Sequence, residues 1–186
     1  MKLYFVALLL PENLDAEIRK LKMLLLEKWG CRVGLKSPAH ITLIPPFWMD
    51  EKSETLFTTD LDLACRNQPS FIVETNDFAA FKPRTLFIEP KLNDPLKKLK
   101  LAADAFCKTH VHYGARADAR PFHPHITLAT RDLQKQAFAE AWAFFEKETF
   151  QVSFGATGLS VLRHNTKNWE VIYTAPFDKS DTLKNK

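Results

Sequence analysis

The chain has 186 residues, 46% of them hydrophobic, with 26 Lys and Arg against 22 Asp and Glu, which suits one globular unit and excludes extensive disorder. Only five glycines rule out a collagen-like or linker-rich architecture. The longest apolar run, Leu3–Leu10, is far shorter than the roughly twenty residues of a membrane span and runs directly into Pro11-Glu12-Asn13, which does not read as a signal peptide, so a soluble cytoplasmic protein is expected.

In chain order, Tyr4–Leu10 alternates weakly and is rich in strand formers, which predicts a buried strand ended by Pro11. Asn13 is placed to cap a helix with Leu14, Ile18, Leu21 and Leu25 on one face and Gly30 as its stop signal. His40–Ile44 reads as a strand fenced by Pro38 and by Pro45-Pro46. A helix over Glu54–Arg66 then leads to an apolar run beginning Phe71-Ile72-Val73. The same order returns: a strand Thr85–Glu89 ended by Pro90, then a helix capped by Asn93 with Leu96, Leu99, Ala103 and Phe106 on its buried side. Next come a strand His125–Ala129, a helix near Leu133–Lys147 with Leu133, Ala137, Ala141 and Phe144 inward, and a strand starting at Phe150. A last strand, Trp169–Thr174, is expected to fold back as a hairpin onto 150–162.

Matching landmarks lie 79 residues apart for Pro11 and Pro90, 85 for His40 and His125, and 79 for Phe71 and Phe150. Each half therefore reads strand–helix–strand–helix–strand, and no Gly/Ser linker separates them. The expected fold is α+β: one bilobal, duplicated domain over 1–177, with repeat units of about 3–81 and 85–163. Two pseudo-twofold-related lobes, each a mainly antiparallel sheet with helices on its outer face, would enclose a cleft. A polar tail follows at 178–186.

Charge and cysteines add bounds. Residues 82–120 hold 9 basic and 4 acidic groups, so the positive surplus gathers around Lys82, Arg84, Lys97, Lys98, Lys100, Arg116 and Arg120, where an anionic partner such as RNA would be drawn. Cys31, Cys65 and Cys107 are widely spaced and form no CxxC pair, which predicts neutral thiols in a reducing compartment. The pairs His110-x-His112 and His123-x-His125 lack the carboxylate or thiolate that would complete a zinc site, so no metal is expected.

The informative feature is the tetrapeptide His-Ile-Thr-Leu, which occurs at His40–Leu43 and again at His125–Leu128 with a proline just before each copy. Alternation along a strand turns each His and its Thr to one face, and the Ile and Leu to the other. Two such strands would bring His40, Thr42, His125 and Thr127 to one cleft. Two imidazoles on opposite sides of a phosphorus can supply a base for the attacking oxygen and an acid for the leaving oxygen. Threonine hydroxyls can donate to the non-bridging oxygens. The pattern points to phosphodiester chemistry without a metal or other cofactor.

Pro38-Ala39-His40-Ile41-Thr42-Leu43 and Phe122-His123-Pro124-His125-Ile126-Thr127-Leu128-Ala129 resemble the two motifs of the two-histidine (2H) phosphoesterases, which include 2′-5′ RNA ligase-like proteins and RNA 2′,3′-cyclic phosphodiesterases. The resemblance spans nearly the whole chain. It implies a bilobal fold and opening of a 2′,3′-cyclic phosphate on RNA or a nucleotide to a 2′-phosphate by His40 and His125, without assigning which is base. It also implies Thr42 and Thr127 as phosphate ligands. Many relatives carry Arg five residues after the second His; here Thr130 stands there and Arg131 follows. Arg131, with the aromatic rings of Phe47 and Phe122, is a candidate substrate contact, as is the neighbouring Trp48. The expected partner is an RNA end or cyclic nucleotide met by a monomer with no membrane association. Reversible 2′-5′ ligation and a non-catalytic nucleotide-binding module are the alternatives.

Overall fold

The computed structural model describes residues 1–178. Strand β1 (Lys2–Leu9) is followed by helix α1 (Glu12–Trp29), strand β2 (His40–Met49), helix α2 (Glu54–Cys65) and strand β3 (Phe71–Phe81). Strand β4 (Thr85–Pro90), helix α3 (Asp94–Thr109), strand β5 (Ile126–Ala129), helix α4 (Lys135–Phe145) and strand β6 (Ser153–Ala156) repeat that order, and a hairpin of β7 (Gly158–His164) and β8 (Trp169–Pro176) closes the chain. The strands form two antiparallel four-stranded sheets, β2-β1-β7-β8 and β5-β4-β3-β6. The fold is thus α+β and bilobal, as the duplicated pattern predicts. No helix among the described residues is long and apolar enough to cross a membrane.

The repeats do not coincide with the lobes. β3, in the first repeat, pairs with β4 and β6 in the second sheet, while β7 and β8 complete the first. The 150–162 run likewise splits at Thr157 between the two sheets, so β8 pairs with β7 alone. One continuous core results, holding Tyr4, Ile41 and Val161 from one sheet together with Leu86, Ile126 and Val73 from the other. Helices cross over too: α3 packs against β2, and α1 against β5, so each first helix supports the other repeat's histidine strand.

Local chemistry explains where elements start and stop. Pro11, not Asn13, occupies the N-cap position of α1, and the acidic Glu12 and Asp15 in its first turn complement the helix dipole. Gly30 ends the helix in the left-handed region at φ 72°, its N–H reaching the carbonyls of Leu25 and Leu26. Asn93 caps α3 as expected, accepting from the Leu96 N–H at 3.0 Å. Pro45-Pro46 do not stop β2. That strand lies at a sheet edge, where the missing N–H costs no ladder bond, and the register slips there from Val6 opposite Ile44 to Tyr4 opposite Phe47. In α4 the buried side is Phe138, Ala141 and Phe145: Ala141, with Leu133 just before the helix, is buried as expected, while Phe138 and Phe145 stand inward in place of Ala137 and Phe144, and Phe144 is exposed.

The expected polar tail lies outside the described residues except for Asp178. That residue is tied down, its N–H donating to the Gln68 carbonyl at 2.8 Å and its carbonyl accepting from the Ser70 N–H at 2.9 Å.

Candidate active site

β2 buries Ile41 and Leu43 in the core and turns His40 and Thr42 to the opposite face. β5 does the same with Ile126 and Leu128 against Thr127, and His125 stands immediately before its first residue. Between the sheets lies a cleft of two adjoining compartments. The one beside His125, about 640 Å³, is bordered by Phe81, Lys100, Arg120, Phe122 and His123. The one beside His40, about 450 Å³, is bordered by Phe5, Lys36, Thr127, His164 and Trp169. Thr42, Pro46, Thr130 and Arg131 line both and so mark the junction.

The two imidazoles are anchored alike. His40 Nδ1 lies 2.7 Å from the Pro38 carbonyl oxygen, and His125 Nδ1 lies 2.9 Å from that of His123, each two residues upstream. A carbonyl can only accept, so Nδ1 carries the proton in both rings and Nε2 is left for a ligand. Rings brace them: Phe5 lies 4.8 Å from His40 between centroids, and Phe81 and Phe87 lie 5.3 and 5.6 Å from His125.

Burial is the main force on both groups. It pushes the pKa of His40 down to about 4; the hydrogen bond to Pro38 opposes the shift, while the nearby charges of Lys22 and His125 add to it. His125 is also lowered, first by burial, with His123 and Arg120 contributing positive charge. The shared lining of Thr42, Pro46, Thr130 and Arg131 joins the compartments of the two histidines into one cleft.

Of the other predicted residues, Thr42 and Arg131 stand at the junction, Thr127 lies in the His40 compartment, and half-buried Phe122 lines the His125 compartment. Arg131 is held at φ 53°, an uncommon conformation for a non-glycine residue. The next residue clasps the lobes: Asp132 Oδ2 accepts from the N–H groups of Arg32 and Val33 at 2.6 and 2.9 Å. Phe47 is a correction. It is only 5% exposed and packs against Tyr4 and Phe57, because the alternation that turns Thr42 outward turns Phe47 into the core. Trp48 is exposed but borders neither compartment.

Most of the basic cluster lies away from the cleft. Only Lys100 and Arg120 of the seven reach it, and both are paired, with Asp104 at 2.6 Å and Asp118 at 2.7 Å. His110 belongs to a separate group with Asp60, at 3.7 Å, and Tyr113. Among the described residues no cluster of three or more His, Cys, Asp or Glu side chains could hold a metal ion. The three cysteines are buried and free.

Sequence reasoning missed Phe5, Trp169 and Lys36. The signal for Phe5 was present: β1 is apolar on both faces, which places a second small cluster of Phe5, Ala7 and Leu162 on the side away from the main core. Trp169 packs edge-on to Phe5 at 4.6 Å and His164 meets Trp169 at 4.9 Å, so a row of rings leads from His40 along the first sheet.

This fold and pair of motifs define a two-histidine phosphoesterase, an enzyme of the phosphodiesterase class. The model of the 2′-5′ RNA ligase superfamily matches residues 10–168, and the chain belongs to that family. It is 26% identical over 168 residues to the RNA 2′,3′-cyclic phosphodiesterase of Bacillus subtilis, covering 86% of both chains. It is 26% identical over 138 residues to a phosphoesterase of Oceanobacillus iheyensis, covering 74% of this chain and 78% of the relative. Among solved structures, TT0787 of Thermus thermophilus superposes with a TM-score of 0.68 at 18% identity, over 97% of this chain and 100% of the other. Apo LigT of Escherichia coli gives 0.63 at 16% identity, over 96% and 98%.

Proposed function

We propose that the protein opens a 2′,3′-cyclic phosphate at an RNA end or on a nucleotide to a 2′-phosphate, without a metal, as a monomer of the reducing cytoplasm. The observation that carries this reading is the matched pair of imidazoles, each with Nδ1 tied to the carbonyl two residues upstream, on one cleft beside Thr42 and Thr127. The cyclic phosphate sits at the junction of the compartments, its non-bridging oxygens taking hydrogen bonds from the two threonine hydroxyls and from Arg131. His40, the group held strongly neutral, takes the proton of a water that attacks phosphorus. The P–O3′ bond breaks and His125, entering the step as the imidazolium with Nδ1–H held by the His123 carbonyl, gives its Nε2 proton to the departing O3′, leaving the phosphate on O2′. The named activity of the Bacillus subtilis relative supports the same substrate class.

The test is hydrolysis of a nucleoside 2′,3′-cyclic phosphate in EDTA. His40→Ala and His125→Ala each lower kcat/KM by about 10²–10⁴-fold with the fold retained. Full activity in both variants would sink the proposal. The family description favours one second reading, reversible 2′-5′ ligation, which supplying cleaved RNA halves and looking for joined product would detect.

A further inference from the structure

The buried stripe of α1 is Leu14, Ile18, Lys22 and Leu25, so a lysine occupies a place where packing alone would be served by Leu or Met. Lys22 is 3% exposed, and its Nζ donates to the Ser37 carbonyl at 3.1 Å. Ser37 opens the segment that carries His40, and both line the smaller compartment. The lysine's own Cδ stands 3.8 Å from where a Cβ would project at Gly34, another residue of that wall.

A second buried lysine, in α3, gives the contrast. Lys100 also lies in a buried helix stripe and donates to a backbone carbonyl, that of Leu43 in β2, at 3.0 Å. Lys100, however, is paired with Asp104 at 2.6 Å. Lys22 has no carboxylate within 4.0 Å among the described residues, and Asp15 of its own helix, whose charge opposes the shift of Lys22, is engaged with the Ala39 N–H at 2.5 Å. Enclosing an ammonium without a close counter-charge costs several kcal/mol. The fold bears that cost on one side of the duplicated scaffold and offsets it on the other.

We propose that Lys22 is a positioning residue of the site: from behind the Ser37–His40 wall its unneutralised ammonium fixes His40 as the proton acceptor and draws the substrate's anion to that side of the cleft. This rests on the base role given to His40 above. The charged and titratable groups around His40 are Lys22 and Asp15 from α1, His125 from the opposed motif, and Lys36, Arg131 and His164 on the compartment walls. Burial pushes the pKa of Lys22 down to about 8, with Asp15 opposing, so its charge is present at neutral pH and fades as pH passes that value.

The experiment is an NMR titration of the His40 ring in the full chain, assigned against His40→Ala, in the wild type and in Lys22→Gln, which keeps a donor but loses the charge. In Lys22→Gln the proton affinity of His40 rises about twofold or more, the acidic limb of the kcat/KM profile moves up with it, and KM for the cyclic nucleotide increases. In the wild type the His40 signals show a second inflection near pH 8, which the variant lacks. Lys100→Gln, at the carboxylate-paired site, leaves the His40 titration in place. Identical His40 titrations in wild type and Lys22→Gln, or no inflection near pH 8 if the variant does not fold, would overturn the inference. The function proposed above fails separately, by retained activity in the histidine variants.

Discussion

His40 couples the site to the stability of the whole chain. Its pKa lies near 4 in the folded protein against an ordinary 6.5, so as pH falls through 6.5 the unfolded chain takes up a proton that the folded chain refuses. Stability from this source is intact above pH 6.5 and is lost between 6.5 and about 4. The gap amounts to about 3 kcal/mol when fully titrated, of which about 2 kcal/mol is gone by pH 5. His40→Gln removes the titrating group, so its stability falls less on acidification. Urea unfolding followed by tryptophan fluorescence at pH 7.5 and 5 then shows the wild type losing about 2 kcal/mol more than the variant. His125, shifted the same way, contributes to both chains and cancels in the comparison. Parallel losses in the two proteins would refute the argument that burial holds His40 neutral.

Two further outcomes follow from packing. A Cβ at Gly34 would lie 2.0 Å from the Leu128 carbonyl oxygen, so Gly34→Ala forces the 33–36 segment away from β5; about 1–3 kcal/mol is lost in thermal unfolding, with a raised KM as the cleft wall moves. Phe47→Ala costs about 3–5 kcal/mol in denaturant while the folded fraction keeps its kcat, whereas Phe122→Ala raises KM with little change in stability, because only Phe122 borders the cleft.

The order of elements and the exposure of both histidines on the cleft side of their strands were legible because each rests on short-range pattern. Helical spacing at Leu96, Leu99, Ala103 and Phe106, two-residue alternation in His-Ile-Thr-Leu, and Gly30 as a stop signal all act within a few residues. Strand partnership does not. Nothing local in Phe71–Phe81 tells which sheet it joins, and the duplicated pattern pointed to the first. Pro45-Pro46 misled for a related reason: a proline's effect depends on whether the strand lies at an edge, which is a property of the assembled sheet. Phe47 was misplaced because the alternation that worked for His40 and Thr42 was not carried five residues further. Phe5 and Trp169 come from strands at opposite ends of the chain, and neither has a motif to announce it. Lys22 was within reach, since a lysine four places after Ile18 breaks an otherwise apolar helical stripe.

The pairing of β1 with β7 has a consequence for biosynthesis. During translation β1 and β2 emerge early, yet β1 keeps one row of amides and carbonyls uncovered until the C-terminal hairpin is made. β3 meanwhile has no native neighbour until the second repeat is threaded out. The ribosome therefore releases a half-built sheet that must wait for its distant partner, and severing the gene between the two repeats would leave both products with unfilled strand positions. A protein that reads as two tandem copies is, in its assembly, indivisible.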